Sequence, residues 1–327
     1  MQRREFITLV GSAAASWSLA ARAQQQTGKA PKVGLVYPGP EAAAPPRVEA
    51  LLNGLRAAGY LAPAQVDLAL RVADGDPSRI MPLVKEVVDS NVDIFFAPGL
   101  AVLRAIQSVS PTIPIVMLDL ESDPVDIGLV ASLAHPGGNV TGVFLAFPDF
   151  ATKWLGLLKE TIPQLSRLAV LWDPSTGTMQ KKSVEGAAEA FKVTLQILEV
   201  PRPSDLDEAF VSAIREGAGA VLMLSSPVIG GNVKKTAELA ILHHLPTITL
   251  FPDFGRAGGL MAYGPNLLGT WRQAGVMIGK VLQGTQPADL PIERPTEFEL
   301  VINMKTAKAL GLKVPLSLQA SADEVID

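Results

Sequence analysis

Cysteine is absent from all 327 residues. That excludes disulfides, thiolate metal sites, a cysteine nucleophile and a lipid-anchoring cysteine. Histidine is scarce: His135 lies in a turn-rich stretch, and His243 and His244 are adjacent near a helix end. Neighbouring helical residues point in different directions, so this pair suits charge compensation at a helix C-terminus better than metal binding. Beyond the N-terminal stretch, no apolar run approaches the roughly 18 residues that a membrane-spanning helix needs. Enzymatic signatures are missing as well. No G-x-G-x-x-G follows the first strand, and neither a Walker loop nor a G-x-S-x-G elbow occurs. No cofactor and no metal site are therefore expected. Aromatic residues make up only 6% of the chain, so the places where they gather carry information.

The chain opens with MQRREFITLVGSAAASWSLAARAQQ. Arg3 and Arg4 precede an apolar stretch from Phe6 to Ala21, and Ala21-Arg22-Ala23 has the A-x-A form of a cleavage site. This is the pattern of an export signal, residues 1–23, with the mature chain starting at Gln24. The arginine pair within QRREFIT points to the twin-arginine route, with general export as the alternative. Loss of the leader removes Arg3, Arg4, Arg22 and Glu5, which takes the formal net charge from −4 to about −6. An acidic exported protein without a basic stripe is unsuited to nucleic acid. The length favours two domains, and 48% apolar residues are enough for a sizeable core.

From Lys32 onward, short apolar runs alternate with amphipathic stretches. VGLVYPG (33–39), VDLALRV (66–72), VDIFFAPG (92–99) and IPIVMLDL (113–120) read as strands separated by helices, the pattern of βαβ units on a parallel sheet. LAVLWDP (168–174), VTLQILEVP (193–201), AVLMLSSP (220–227) and LPTITLF (245–251) repeat the pattern. The turn-rich HPGGNVTGVFLAFPDF (135–150) marks the boundary between the two sets. Further strand-helix pairs follow, so the chain is expected to return to the first lobe and then to the second. The expected fold is α/β: two Rossmann-like lobes with parallel sheets, joined by three crossover segments. Lobe 1 is assigned 30–145 plus 256–285, and lobe 2 is assigned 146–255 plus 286–327. Such an arrangement suits closure about a hinge.

In open α/β sheets, ligands bind beyond the carboxyl ends of the strands. Reading those ends gives the candidate ligand-binding set Tyr37, Gly99, Leu100, Asp119, Glu121, Phe147, Trp172, Ser225, Ser226, Phe251 and Tyr263. Aromatic walls with a few polar groups suit a small-molecule cleft; alternatively, the aromatics only close the top of each core. Asp76, Asp123 and Asp173 precede prolines and read as turn starters. Asp119 and Glu121 have no evident capping role and could accept hydrogen bonds from a ligand ammonium or hydroxyl. Ser225 and Ser226 stand before a helix and could hold a carboxylate. The tetrapeptide FPDF occurs twice, at Phe147–Phe150 and Phe251–Phe254. Asp149 reads as an N-cap, and Phe147 and Phe251 read as ligand wall.

HPGGNVTG, AGGLMAYGPNL, QPADLPIERPTEFELVINMKTAKALGL and the closing ADEVID resemble the TrpX-like ABC-transporter substrate-binding proteins over essentially the whole mature chain. The resemblance implies the type I periplasmic binding fold, a ligand in the interlobe cleft, no catalysis, and docking on an ABC permease in the inner membrane. Family members often carry a Gly-Asp-Pro turn after the fourth strand; here the segment ends in Ser122-Asp123-Pro124. The expected function is periplasmic capture, by a monomer, of an amino-acid-like or aromatic acid. A ligand-sensing module for a membrane receptor and an enzyme on the same scaffold remain the alternatives.

Overall fold

The computed structural model describes residues 30–60, 65–145 and 147–327, with the side chains of 147–149 outside the description. The expected leader lies outside the described residues. The main folded unit spans Lys32–Asp327. Among the described residues, no helix is long and apolar enough to cross a membrane.

The first sheet has the order β2-β1-β3-β4-β5 and is parallel throughout. Its members are β1 (Lys32–Tyr37), β2 (Asp67–Val72), β3 (Ile94–Pro98), β4 (Ile115–Asp119) and β5 (Val140–Phe144). β3 and β4, IFFAP and IVMLD, are buried along their whole length. Helices covering both faces of a parallel sheet demand such continuous apolar runs. The edge strand β2, DLALRV, has no fully buried residue. Its helices are α1 (Ala44–Ala57), α2 (Ile80–Asp89) and α3 (Leu100–Val109).

The second sheet has the order β12-β11-β10-β9-β8-β6-β7. Its strands are β6 (Arg167–Trp172), β7 (Thr194–Glu199), β8 (Ala220–Met223), β9 (Thr247–Thr249), β10 (Met261–Pro265), β11 (Phe298–Asn303) and β12 (Glu324–Ile326). β10 and β11 pair antiparallel, while the other neighbours are parallel. The intervening helices are α4 (Phe147–Thr161), α5 (Met179–Phe191), α6 (Leu206–Arg215), α7 (Pro227–Gly230), α8 (Val233–Leu242) and α9 (Pro252–Arg256). α10 (Leu267–Leu282), α11 (Met304–Ala309) and α12 (Leu316–Ser321) follow.

Sheet pairing divides the lobes differently from the expected boundaries. The segment 256–285 was assigned to lobe 1, yet β10 lies inside the second sheet and only α10 packs on the first lobe. Likewise, 286–327 does not belong wholly to lobe 2. Thr141 Oγ1 donates to Leu290 O at 2.7 Å, and Glu293 bridges to Val143 at the β5 edge. The turn-rich boundary segment itself contains a buried strand, β5.

Local details follow turn chemistry. Asp76, Asp123 and Asp173 accept backbone N–H groups two residues ahead, at 2.9, 2.8 and 2.9 Å, as their Asp-Pro pairs predict. Asp149 is not an N-cap, because α4 already begins at Phe147. Asp205, at the N-cap of α6, makes no side-chain capping bond and pairs with Arg202 at 2.9 Å instead.

α10 reaches lobe 1 through two glycines. A Cβ on Gly275 would collide with the carbonyl oxygen of Leu51, and one on Gly54 with that of Arg272. The α1 and α10 backbones therefore touch directly, and any side chain at the crossing forces them apart. Gly275→Val is expected to lower unfolding free energy by about 1–3 kcal/mol through overpacking, read as a lower denaturant midpoint with unchanged slope.

Candidate functional site

A cavity of about 250 Å³ lies between the lobes at the carboxyl ends of the strands. Lobe 1 supplies Tyr37, Pro38 and Gly39 after β1, Pro98 and Gly99 after β3, and Leu118, Leu120 and Glu121 around the end of β4. α1 adds Ala43 from its start and Arg47, and α10 adds Leu267 and Trp271. Lobe 2 supplies Ser225, Ser226 and Pro227 after β8, Gly230, Gly231 and Val233, and then Phe251 and Asp253 after β9.

Glu121 is placed by a turn that Asp119 builds. The Asp119 carboxylate accepts the Glu121 N–H at 2.9 Å, the Ser122 N–H at 3.1 Å and the Ser122 hydroxyl. Asp119 is itself buried and spends its acceptors inside this turn. Gly99, at φ +96°, turns the chain from β3 into α3 in a conformation that suits glycine. A Cβ built there would sit 4.0 Å from Glu121 Oε2.

Ser225 faces Glu121 from the other lobe, and its hydroxyl donates to Glu121 Oε1 at 3.0 Å. Its backbone is gripped by the fully buried Gln180 of α5, whose Nε2 donates to Ser225 O at 2.9 Å. Gln180 Oε1 accepts the Ser225 N–H at 2.8 Å. A buried amide with both ends satisfied is rigid, so the hydroxyl is presented in one position. Ser226 instead accepts the Ile229 N–H at 3.0 Å and caps α7.

Burial, followed by the charges of Asp119 and Asp173, pushes the Glu121 carboxyl up to about 8, against the Ser225 hydrogen bond. Burial raises the Asp119 carboxyl as well, against the three hydrogen bonds that favour its ionised form; Glu121 accepts only one, so the geometry favours Glu121 as the acid that holds the proton. The cavity lining also carries Arg47. Arg47 Nη2 lies 3.6 Å from Asp253 Oδ2, a second bridge across the cleft, and its guanidinium sits 5.8 Å from the Tyr37 ring centre. The floor is aromatic: Trp271 meets Tyr37 edge-on at 5.8 Å and Phe96 at 4.8 Å.

Six of the candidate residues line this cavity: Tyr37, Gly99, Glu121, Ser225, Ser226 and Phe251. Leu100 is buried in the core on the other side of the first sheet, with Val36 and Phe95. Asp119 stands behind the wall as the turn anchor. The Trp172 indole N–H donates to Gly177 O at 2.9 Å, and Lys181 caps its ring at 4.6 Å, away from the cavity. Tyr263 packs at 5.7 Å on Phe150 and at 6.4 Å on Phe298 where α4 meets β10 and β11. Phe147 lies outside the described side chains. The candidate set missed Arg47, Asp253, Leu267 and Trp271. A charged residue on an amphipathic helix, as Arg47 is, is ordinarily solvated and carries no site signal; Trp271, one turn into a helix opened by Asn266, is the available signal.

Residues 40–326 match the family model described as ABC transporter substrate binding protein. The chain belongs to that family. A tyrosine-binding protein of Clostridioides difficile is 25% identical over 283 residues, covering 84% of this chain and 77% of the relative. An ABC domain from Streptococcus pneumonia, solved in complex with L-Trp, superposes with a TM-score of 0.83 at 24% identity, covering 91% and 100% of the two chains. The ligand-free, open form of a substrate-binding protein with adhesive properties from Clostridium difficile gives 0.67 at 20% identity, covering 91% and 99%. For this ABC substrate-binding protein, membership implies a small-molecule ligand and an ABC permease as partner. Among the described residues, no cluster of His, Asp and Glu could hold a metal ion.

The raised Glu121 carboxyl is expected to make lobe closure pH-dependent. Burial between the lobes raises it from the ordinary 4.5 to about 8. Its contribution to closure is thus complete below the lower value and lost as pH rises through the upper one. Small-angle scattering of ligand-free protein is expected to show a larger radius of gyration at pH 9 than at pH 6. Glu121→Gln is expected to abolish that difference.

Proposed function

We propose that this substrate-binding protein is exported to the periplasm by the leader at residues 1–23 and delivers an aromatic or apolar amino acid to its permease as a monomer. The observation that carries the reading is the Glu121–Ser225 pair at one end of an aromatic- and proline-walled cavity. A carboxyl whose proton is held by burial and two neighbouring acids is a vacancy for a cation. A ligand ammonium replaces that proton, offsets the Glu121 charge and donates hydrogen bonds to groups of both lobes, the Glu121 carboxylate and the Ser225 hydroxyl oxygen. The apolar body of the solute then fills the space beside Tyr37, Phe251 and Trp271. The volume suits one amino acid of that size.

Closure follows as a population shift, because a solute touching both lobes stabilises only the state in which they meet. The names of the two relatives, tyrosine-binding and L-Trp-bound, support an amino acid. The higher score against the L-Trp complex than against the open form supports a closed arrangement here.

The test is a thermal-shift and calorimetry panel of L-tyrosine, L-tryptophan and L-phenylalanine with their des-amino acids. The amino acids are expected to raise Tm and to bind at least tenfold tighter than the des-amino acids, in line with a charge-assisted hydrogen bond of about 1.5–3 kcal/mol. Glu121→Gln is expected to erase most of that preference. No Tm rise with any amino acid, or an unchanged preference in the variant, contradicts the reading.

A further inference from the structure

A second cavity of about 420 Å³ opens immediately outside the first. Its far side is formed by Pro252, Arg256, Asn266, Leu268 and Glu299. Arg47, Asp253 and Leu267 line both cavities and are therefore the wall between them. Each half of the charged part of this wall is fixed to its own lobe. Arg47 Nη1 donates to Ala43 O at 2.8 Å, and its guanidinium rests on Tyr37, so it is held by lobe 1. Asp253 lies 3.3 Å from Arg256, which Glu299 and Glu324 anchor in turn at 3.0 and 2.7 Å on lobe 2.

The two halves meet only at 3.6 Å, with Asp253 half exposed. Such a pair contributes little as a solvated ion pair. What it does is occupy space: with the lobes together it separates the chambers, and with the lobes apart it ceases to exist. Arg47 is also the single cation among the described residues lining the inner cavity, where it stands over Tyr37. A zwitterion held by its ammonium at Glu121 would direct its carboxylate to this arginine. Any extension beyond the carboxyl carbon would then run into the wall.

We propose that the Arg47–Asp253 partition, with Leu267, sets the length of the solute, restricting the inner chamber to a single amino acid. The outer chamber is a latent subsite for the next residue of a dipeptide-sized solute. This rests on the amino-acid reading above. A longer solute enters the open cleft but keeps the partition from forming, so it is rejected at closure rather than at entry.

The test measures Kd for four probes, L-tyrosine, L-tryptophan, L-tyrosyl-glycine and L-tryptophyl-glycine, by calorimetry. Wild-type protein is expected to bind a free amino acid at least tenfold tighter than its dipeptide. Arg47→Ala removes the wall and is expected to lower the dipeptide Kd at least tenfold. Leu267→Ala trims the same wall from α10 and gives the same direction, which keeps the test decisive if Arg47→Ala folds poorly. Arg47→Met, which keeps the bulk and loses the charge, is expected to leave dipeptide binding no tighter than in wild type. A dipeptide gain below tenfold in both alanine variants overturns the proposal. So does an Arg47→Met variant that admits dipeptides as Arg47→Ala does. Wild-type protein that binds none of the four probes refutes the amino-acid reading itself, and the length limit falls with it.

Discussion

The hydrogen bond from Ser225 to Glu121, 3.0 Å long, joins two strand ends more than a hundred residues apart in sequence. Most of the surrounding architecture serves to put those two side chains face to face. On one side, Asp119 spends its carboxylate on a turn that aims Glu121 into the cleft. On the other, Gln180 holds the Ser225 backbone from a fully buried position in α5. Neither acts as a ligand-facing group, yet both decide where the ligand-facing groups stand. The electrostatic consequence follows from the same geometry. Three acids gathered together, Asp119, Glu121 and Asp173, favour an added positive charge beside Glu121.

The lobes owe their association to a different kind of contact. α10 leaves the second sheet and lies across α1 at Gly54 and Gly275, where backbones touch without side chains between them. This crossing places Trp271 beneath Tyr37 and Phe96, and so builds the cavity floor from the C-terminal part of the chain. Trp154 ties the second lobe to the same segment, its indole N–H donating to Tyr263 O at 2.7 Å.

Much of the fold was legible because each central strand is a short apolar run and each helix is amphipathic. Those signals are local. The assignment of 256–285 to one lobe failed because a strand and the helix after it belong to different neighbours, and pairing between distant segments leaves no local mark. At the site, the strand-end rule found Gly99, Glu121, Ser225 and Phe251. It also selected Trp172 and Tyr263, whose rings turn to Lys181 and to Phe150 instead. A difference of one residue at a strand end sends a side chain to the opposite face, and no composition signal reports that. Arg47 was not picked out because a charged residue on an amphipathic helix reads as solvated until the opposite lobe is in place, and Asp253, in the second FPDF, reads as the start of a helical turn. The repeated FPDF resolves into two unlike corners. The first contributes Phe150 to the aromatic cluster at Tyr263, and the second contributes Phe251 and Asp253 to the cavity lining.

The central claim is that an aminated solute joins the lobes at Glu121 and Ser225. A crystal structure of the protein with the solute it retains through purification tests this most directly. The account predicts a ligand nitrogen within hydrogen-bond distance, about 3 Å, of the Glu121 carboxylate, with the Arg47–Asp253 pair closed beside it. A solute without nitrogen, or one that leaves Glu121 bonded to Ser225 alone, would contradict it.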